Sequence, residues 1–110
     1  MNVKHLVDEN TLIVEITEEI DHHLVEKMKS RIDYEIQKLF PRKIIFDFNR
    51  VVFMDSAGIG LVIGRYKTVN SLGGKLEMIN VRENLKRVFE MSGILKIIPI
   101  VNSYEKEKIS

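Results

Sequence analysis

Short runs rich in β-branched and aromatic residues alternate along this chain with stretches in which apolar residues recur every three or four positions. TLIVEIT at 11–17 precedes the helical pattern that starts near Asp21, KIIFDF at 43–48 precedes the one that starts at Ser56, and LEMINV at 76–81 precedes a third. A strand that cannot bury its apolar face alone, followed each time by an amphipathic helix, predicts βα units around a largely parallel sheet with right-handed crossovers.

The boundaries follow from local chemistry. Residues 2–7 and 11–17, separated by Asp8, Glu9 and Asn10, predict an N-terminal hairpin, and the adjacent Leu12, Ile13 and Val14 predict a second strand covered on both sides. Leu24, Val25, Met28, Ile32, Ile36 and Leu39 form one helical stripe, with Asp21 as N-cap and Pro41 beyond its end. From Ser56 the stripe is Ile59, Val62, Ile63, Tyr66 and Val69, stopping before Gly73 and Gly74. The helix expected over Arg82–Met91 turns Leu85, Val88 and Phe89 inward and ends at Gly93. Ile94–Val101 reads as a last strand, and Pro99, which has no amide proton to donate, places that strand at a sheet edge or the proline near its end.

At 110 residues the chain is expected to form one domain, 1–110, with a charged tail from about 103 that closes in a helical turn or frays. Its net charge of +1 comes from interspersed signs, and Arg82, Lys86 and Arg87 read as a solvated helix face rather than a nucleic-acid groove. The lack of cysteine excludes disulfides, thiolate metal sites and cysteine nucleophiles. No apolar run approaches the roughly 20 residues of a membrane span, and MNVKHLVDEN lacks a leader's apolar core, so a cytoplasmic protein without membrane contact is expected.

The stretch FMDSAGIG, 53–60, joins the second βα unit and carries the one serine that the topology places at a strand's carboxyl end. As a hydrolase nucleophile Ser56 would need a glycine two positions earlier, where Met54 stands, and a base from among His5, His22 and His23. A phosphate loop fails because Gly74-Lys75 has neither the preceding glycine nor the following hydroxyl residue. Adjacent His22 and His23 diverge at a helix start and suggest no metal. Two readings stay open: Asp55 and Ser56 cap the helix, or the helix's free amides and positive end receive a phosphate on Ser56. Gly60 and Gly64 share a face with Ser56 and Ala57, a strip without bulk that suits either close helix-to-sheet packing or close approach by another protein.

EIDHH at 19–23, VVFMDSAGIGLVIGRYK at 51–67, LGGKLEMINV at 72–81 and LKRVFEMSGILKII at 85–98 resemble, in order, the STAS-domain anti-sigma factor antagonists, most closely the sporulation branch that opposes an anti-sigma-F factor. The family's more common D-S-S-G is D-S-A-G here. The resemblance implies a single α/β domain, its mixed, mostly parallel sheet wound into a βα superhelix with helices largely on one side. It implies a regulator that is not an enzyme and has no cofactor. Ser56 would be phosphorylated by the partner, an anti-sigma serine kinase with bound adenine nucleotide, and restored by a serine phosphatase. Unphosphorylated, the chain would bind the kinase and release sigma factor F; phosphorylated, it would let go. Asp21, His22, Asp55, Ser56, Ala57, Gly58 and Gly60 would form the contact surface. The alternatives are an antagonist in a general stress-response circuit and a ligand-sensing STAS module.

Overall fold

The structure, a computed structural model, describes residues 1–102; the charged tail expected from about 103 lies outside them. Strands β1 (Asn2–Leu6), β2 (Thr11–Glu15), β3 (Lys43–Asp47) and β4 (Lys75–Ile79) lie in that order in one sheet. β1 pairs antiparallel with β2 as the expected hairpin, while β2–β3 and β3–β4 are parallel. Helices α1 (His22–Leu39) and α2 (Ser56–Ser71) are the two crossovers, and α3 (Glu83–Ser92) follows β4.

All three helices contribute buried apolar residues to one cluster with Leu12, Val14, Ile44, Phe46, Leu76 and Met78, which are alternate residues of the parallel strands. Ile13, Ile45 and Ile79 point to the other face and pack with Leu6 and Val101, which is why Thr11–Val14 is buried throughout. Phe46 stacks on Phe48 at 5.8 Å and Phe48 meets Phe89 edge-on at 5.4 Å, tying β3 to α3. Such aromatic pairs add about 0.5–1.5 kcal/mol each beyond their buried area.

Helix α1 ends where Phe40 turns left-handed at φ 44°, and the Asn10 side-chain amide donates to the Phe40 carbonyl at 3.0 Å. The hairpin turn therefore closes the C-terminus of α1, and Arg42 N–H returns a bond to the Asn10 carbonyl at 2.9 Å.

Three expectations are corrected. Ile94–Val101 is not a strand: Gly93, at φ 82°, leads into a 3-10 turn at Ile94–Lys96. Only residues 99–101 reach β4, where Met78 donates to the Pro99 carbonyl at 3.0 Å and accepts from Val101 N–H at 2.8 Å. In α2 the buried positions are Gly58, Leu61, Val62, Arg65 and Val69, whereas Ile59, Ile63 and Tyr66 are only half-buried. Val88 of α3 is likewise half-buried beside the buried Leu85 and Phe89.

Arg65, 6% exposed, brings its Nε within 2.9 Å of Asp33 Oδ1 on α1. The N–H is not aimed at the oxygen, so this is a close ion contact between the two crossover helices rather than an aligned hydrogen bond.

Candidate functional site

The parallel strands end in register, Glu15 opposite Asp47 and Asp47 opposite Ile79. Ile16 N–H to the Asp47 carbonyl and Phe48 N–H to the Ile79 carbonyl, both 3.1 Å, extend the ladder by one step. Helices α1 and α2 start after these aligned ends and pack against one another. Asp21 and Asp55 thus stand at the same, carboxyl end of the sheet, where α/β folds place their sites.

The two helix starts are built alike. Each aspartate is an extended N-cap whose carboxylate accepts from the amides two and three residues on: His23 and Leu24, both 2.9 Å, for Asp21, and Ala57 and Gly58, 2.9 and 3.3 Å, for Asp55. The Leu24 amide bond holds the Asp21 carboxyl below the ordinary aspartate range, helped by the His23 amide and the two histidines, against a smaller opposing effect of desolvation.

Asp55, not Ser56, is therefore the cap, and Ser56 is the first helical residue, exposed to solvent. This narrows the second reading drawn from sequence: the Ala57 and Gly58 amides, which a phosphate on Ser56 would otherwise use, are already taken. A phosphate there would be added next to the Asp55 carboxylate.

The other site residues separate by exposure. Asp21, His22 and Gly60 are exposed, Asp55 and Ala57 half-buried, and Gly58 buried. A β-carbon on Gly58 would lie 2.3 Å from Met54 Cγ, whereas one on Gly60 or Gly64 would meet nothing within 4 Å. Close internal packing thus explains Gly58 alone. At Gly60 and Gly64 the glycine leaves open surface, which fits the other alternative, approach from outside.

Sequence reasoning passed over the segment in front of Ser56. Val51 and Met54 are 4% and 2% exposed, while Val52 and Phe53 between them are 48% and 58% exposed. The buried pair anchors the segment and leaves an aromatic ring exposed three residues before the serine. Sequence reasoning also missed what holds the segment's backbone. Asn80 Nδ2 donates to Asp47 Oδ1 at 3.0 Å, Arg82 Nε and a terminal guanidinium nitrogen donate to the Asn49 carbonyl at 3.0 and 2.8 Å, and Asn84 Nδ2 donates to the Val52 carbonyl.

A cavity of about 480 Å³ lies at the sheet's other end, lined by Asp8, Glu9, Arg42, Lys43 and Lys75 among others, with mixed charge. It is separated from Ser56 by the length of the strands. Among the described residues no helix is long and apolar enough to cross a membrane.

Residues 2–107 match the STAS domain family. The chain is 36% identical to the anti-sigma F factor antagonist of Paenibacillus polymyxa over 92 residues, 84% of this chain and 79% of the relative. It is 31% identical to the anti-sigma-B factor antagonist of Bacillus subtilis over 100 residues, 91% and 90% of the two chains. The anti-sigma factor antagonist SpoIIAA in its unphosphorylated form superposes with a TM-score of 0.81 at 30% identity, covering 98% of this chain and 91% of that one. The Bacillus cell fate determinant SpoIIAA in the phosphorylated form gives 0.74 at 30% identity, covering 98% and 95%.

Proposed function

The chain belongs to the STAS domain family, and on that premise we propose that it is a phosphorylation-switched antagonist of an anti-sigma factor, with Ser56 as the phosphoacceptor. The observation that carries the proposal is the placement of Ser56: exposed, first in α2, at the carboxyl end of the sheet, with open surface over Gly60. Structures of SpoIIAA in unphosphorylated and phosphorylated forms, both similar to this fold, support a switch that preserves the domain.

The chain is then a substrate and a binding module. Its partner is the anti-sigma factor acting as a serine kinase with ATP, and a serine phosphatase resets it. Unphosphorylated, the surface made by Asp21, His22, Asp55, Ser56, Ala57 and Gly60 holds the anti-sigma factor and frees sigma factor F; Gly58 contributes from below by seating Met54. A phosphate adds a charge of roughly −1.5 to −2 at that surface. A partner that must bury it unpaired loses about 2–5 kcal/mol, enough to release the complex. The fold, typically stable by about 5–15 kcal/mol, gains or loses far less from a charge standing in solvent.

Incubation with ATP and anti-sigma factors, followed by mass spectrometry, tests the assignment: phosphate is expected on Ser56, and transfer only elsewhere removes it. The similarity to the Bacillus subtilis anti-sigma-B factor antagonist over 91% of the chain favours, as a second reading, the same switch in a sigma-B circuit. Comparing binding to F-type and B-type anti-sigma factors separates the two.

A further inference from the structure

The start of α3 makes a choice that its own helix does not explain. Its N-cap is Arg82, which makes no side-chain cap bond, although Ser, Thr, Asp or Asn there would satisfy a free amide. The Arg82 side chain instead reaches away from α3 to place two donors on the Asn49 carbonyl. Two residues further on, Asn84 donates to the Val52 carbonyl. Both residues are exposed, so neither is drawn there by burial.

We propose that Arg82 and Asn84 are positioning residues for the Ser56 switch: they set the backbone of 49–53, and through it the pose of Phe53 and Ser56 presented to the partner. This rests on the function proposed above. The segment has few anchors of its own. Val51 N–H bonds the Phe48 carbonyl and Asn49 N–H bonds Asp47 Oδ1, both at 2.9 Å, and the side chains of Val51 and Met54 enter the core. The Val52 carbonyl, between two outward-facing residues, takes its donor from α3, and the acceptor serine follows four positions later. Without these donors the segment samples other poses, and the apparent affinity for a partner falls with the fraction that remains competent.

Asn84→Asp and Asn84→Ala give the test. The aspartate keeps the shape and suits the first turn of α3 through the helix dipole, so a role confined to α3 is preserved or improved by it; it nevertheless lacks the donor. The alanine removes the donor without adding charge. Both are expected to speed exchange of the segment's hydrogen-bonded amides, Asn49 and Val51, in the free chain by about five- to tenfold, leaving β2 and β3 unchanged. With the anti-sigma F factor of Paenibacillus polymyxa, the anti-sigma-B factor of Bacillus subtilis and ATP, both should raise KM for Ser56 phosphorylation by a similar factor and leave kcat nearly unaltered. Unchanged exchange in both variants overturns the inference, as does faster exchange with unchanged KM. An effect of the aspartate alone would assign it to charge and also overturn the inference. If Asn84→Ala does not melt cooperatively, Arg82→Lys, which keeps the charge but cannot place the paired donors, is read in its place. Failure of the wild-type chain to be labelled on Ser56 by either kinase counts against the proposed function, while the exchange data still decide whether Arg82 and Asn84 hold the segment.

Discussion

The same substitution at two glycines of α2 should act in opposite directions. In Gly58→Ala the new β-carbon falls 2.3 Å from Met54 Cγ and 2.8 Å from Sδ, and Met54 is 2% exposed, so it has little room to yield. Overpacking of this kind costs about 1–3 kcal/mol. The helix gains about 0.5–1 kcal/mol from losing a glycine, which leaves a net loss of up to about 2.5 kcal/mol. In Gly60→Ala nothing lies within 4 Å of the new carbon, so the gain of about 0.5–1 kcal/mol stands alone. At about 4–8 °C per kcal/mol for a domain near this size, Gly58→Ala should melt several degrees below the wild type and Gly60→Ala several degrees above it. Calorimetry and urea titration with matched m-values provide the assay. A double-mutant cycle sharpens it: on a Met54→Ala background, Gly58→Ala should lose its penalty. If Gly58→Ala proves as stable as Gly60→Ala, the close contact with Met54 does not explain Gly58 and the steric reasoning is wrong.

Gly60→Arg, on open surface, should melt like a folded domain and fail to bind the anti-sigma factor in a pull-down; loss of cooperative melting would show that the face is internal. Ser56→Ala should keep partner binding and resist phosphorylation, so that sigma release becomes constitutive; a folded variant that cannot bind would make the hydroxyl an essential contact. Asp21 has a depressed pKa in the folded chain, so its stabilisation is full above the unfolded aspartate value of about 3.9 and is lost as pH falls through the lower folded value. Asp21→Asn, which keeps an acceptor but does not titrate, should therefore flatten the acid limb of a stability–pH profile below about pH 4. Asp33→Ala leaves the Arg65 guanidinium buried without its counter-charge and should destabilise the chain, by less than the 3–5 kcal/mol of a fully buried pair because Asp33 is 35% exposed; chemical denaturation reads it, and Arg65→Met in the same chain should recover part of the loss.

How far the sequence reaches can be judged from particular elements. The hairpin, both crossover helices and the Asp21 cap were legible because each depends on neighbours a few residues away, whereas the choice between Asp55 and Ser56 at the second helix start needed the structure. The order of strands was not, since pairing joins residues some 30 positions apart. ILKIIPIV was misread for a physical reason: an apolar run shows that residues are buried but not in what conformation. Here Ile94 and Ile98 enter the core around a tight turn, and among the described residues the run meets β4 in a single bridge, Ile100 to Met78. Pro99 was the available signal, and it held only for the edge position. Arg65 escaped the apolar stripe because its counter-ion lies on another helix. Arg82 read as solvated surface and Asn84 drew no reading for the same reason, their acceptors being carbonyls 33 and 32 residues back.

The Asp55 carboxylate, by occupying the Ala57 and Gly58 amides, also sets how long the proposed mark can last. A phosphate cradled by a helix start would be shielded from attack and slow to erase, and the chain would retain a record of past kinase activity. A phosphate denied that cradle remains as open to removal as the hydroxyl was to addition. The fraction of chains in each state then follows the present ratio of kinase to phosphatase activity, which makes the domain a gauge of current conditions with little memory.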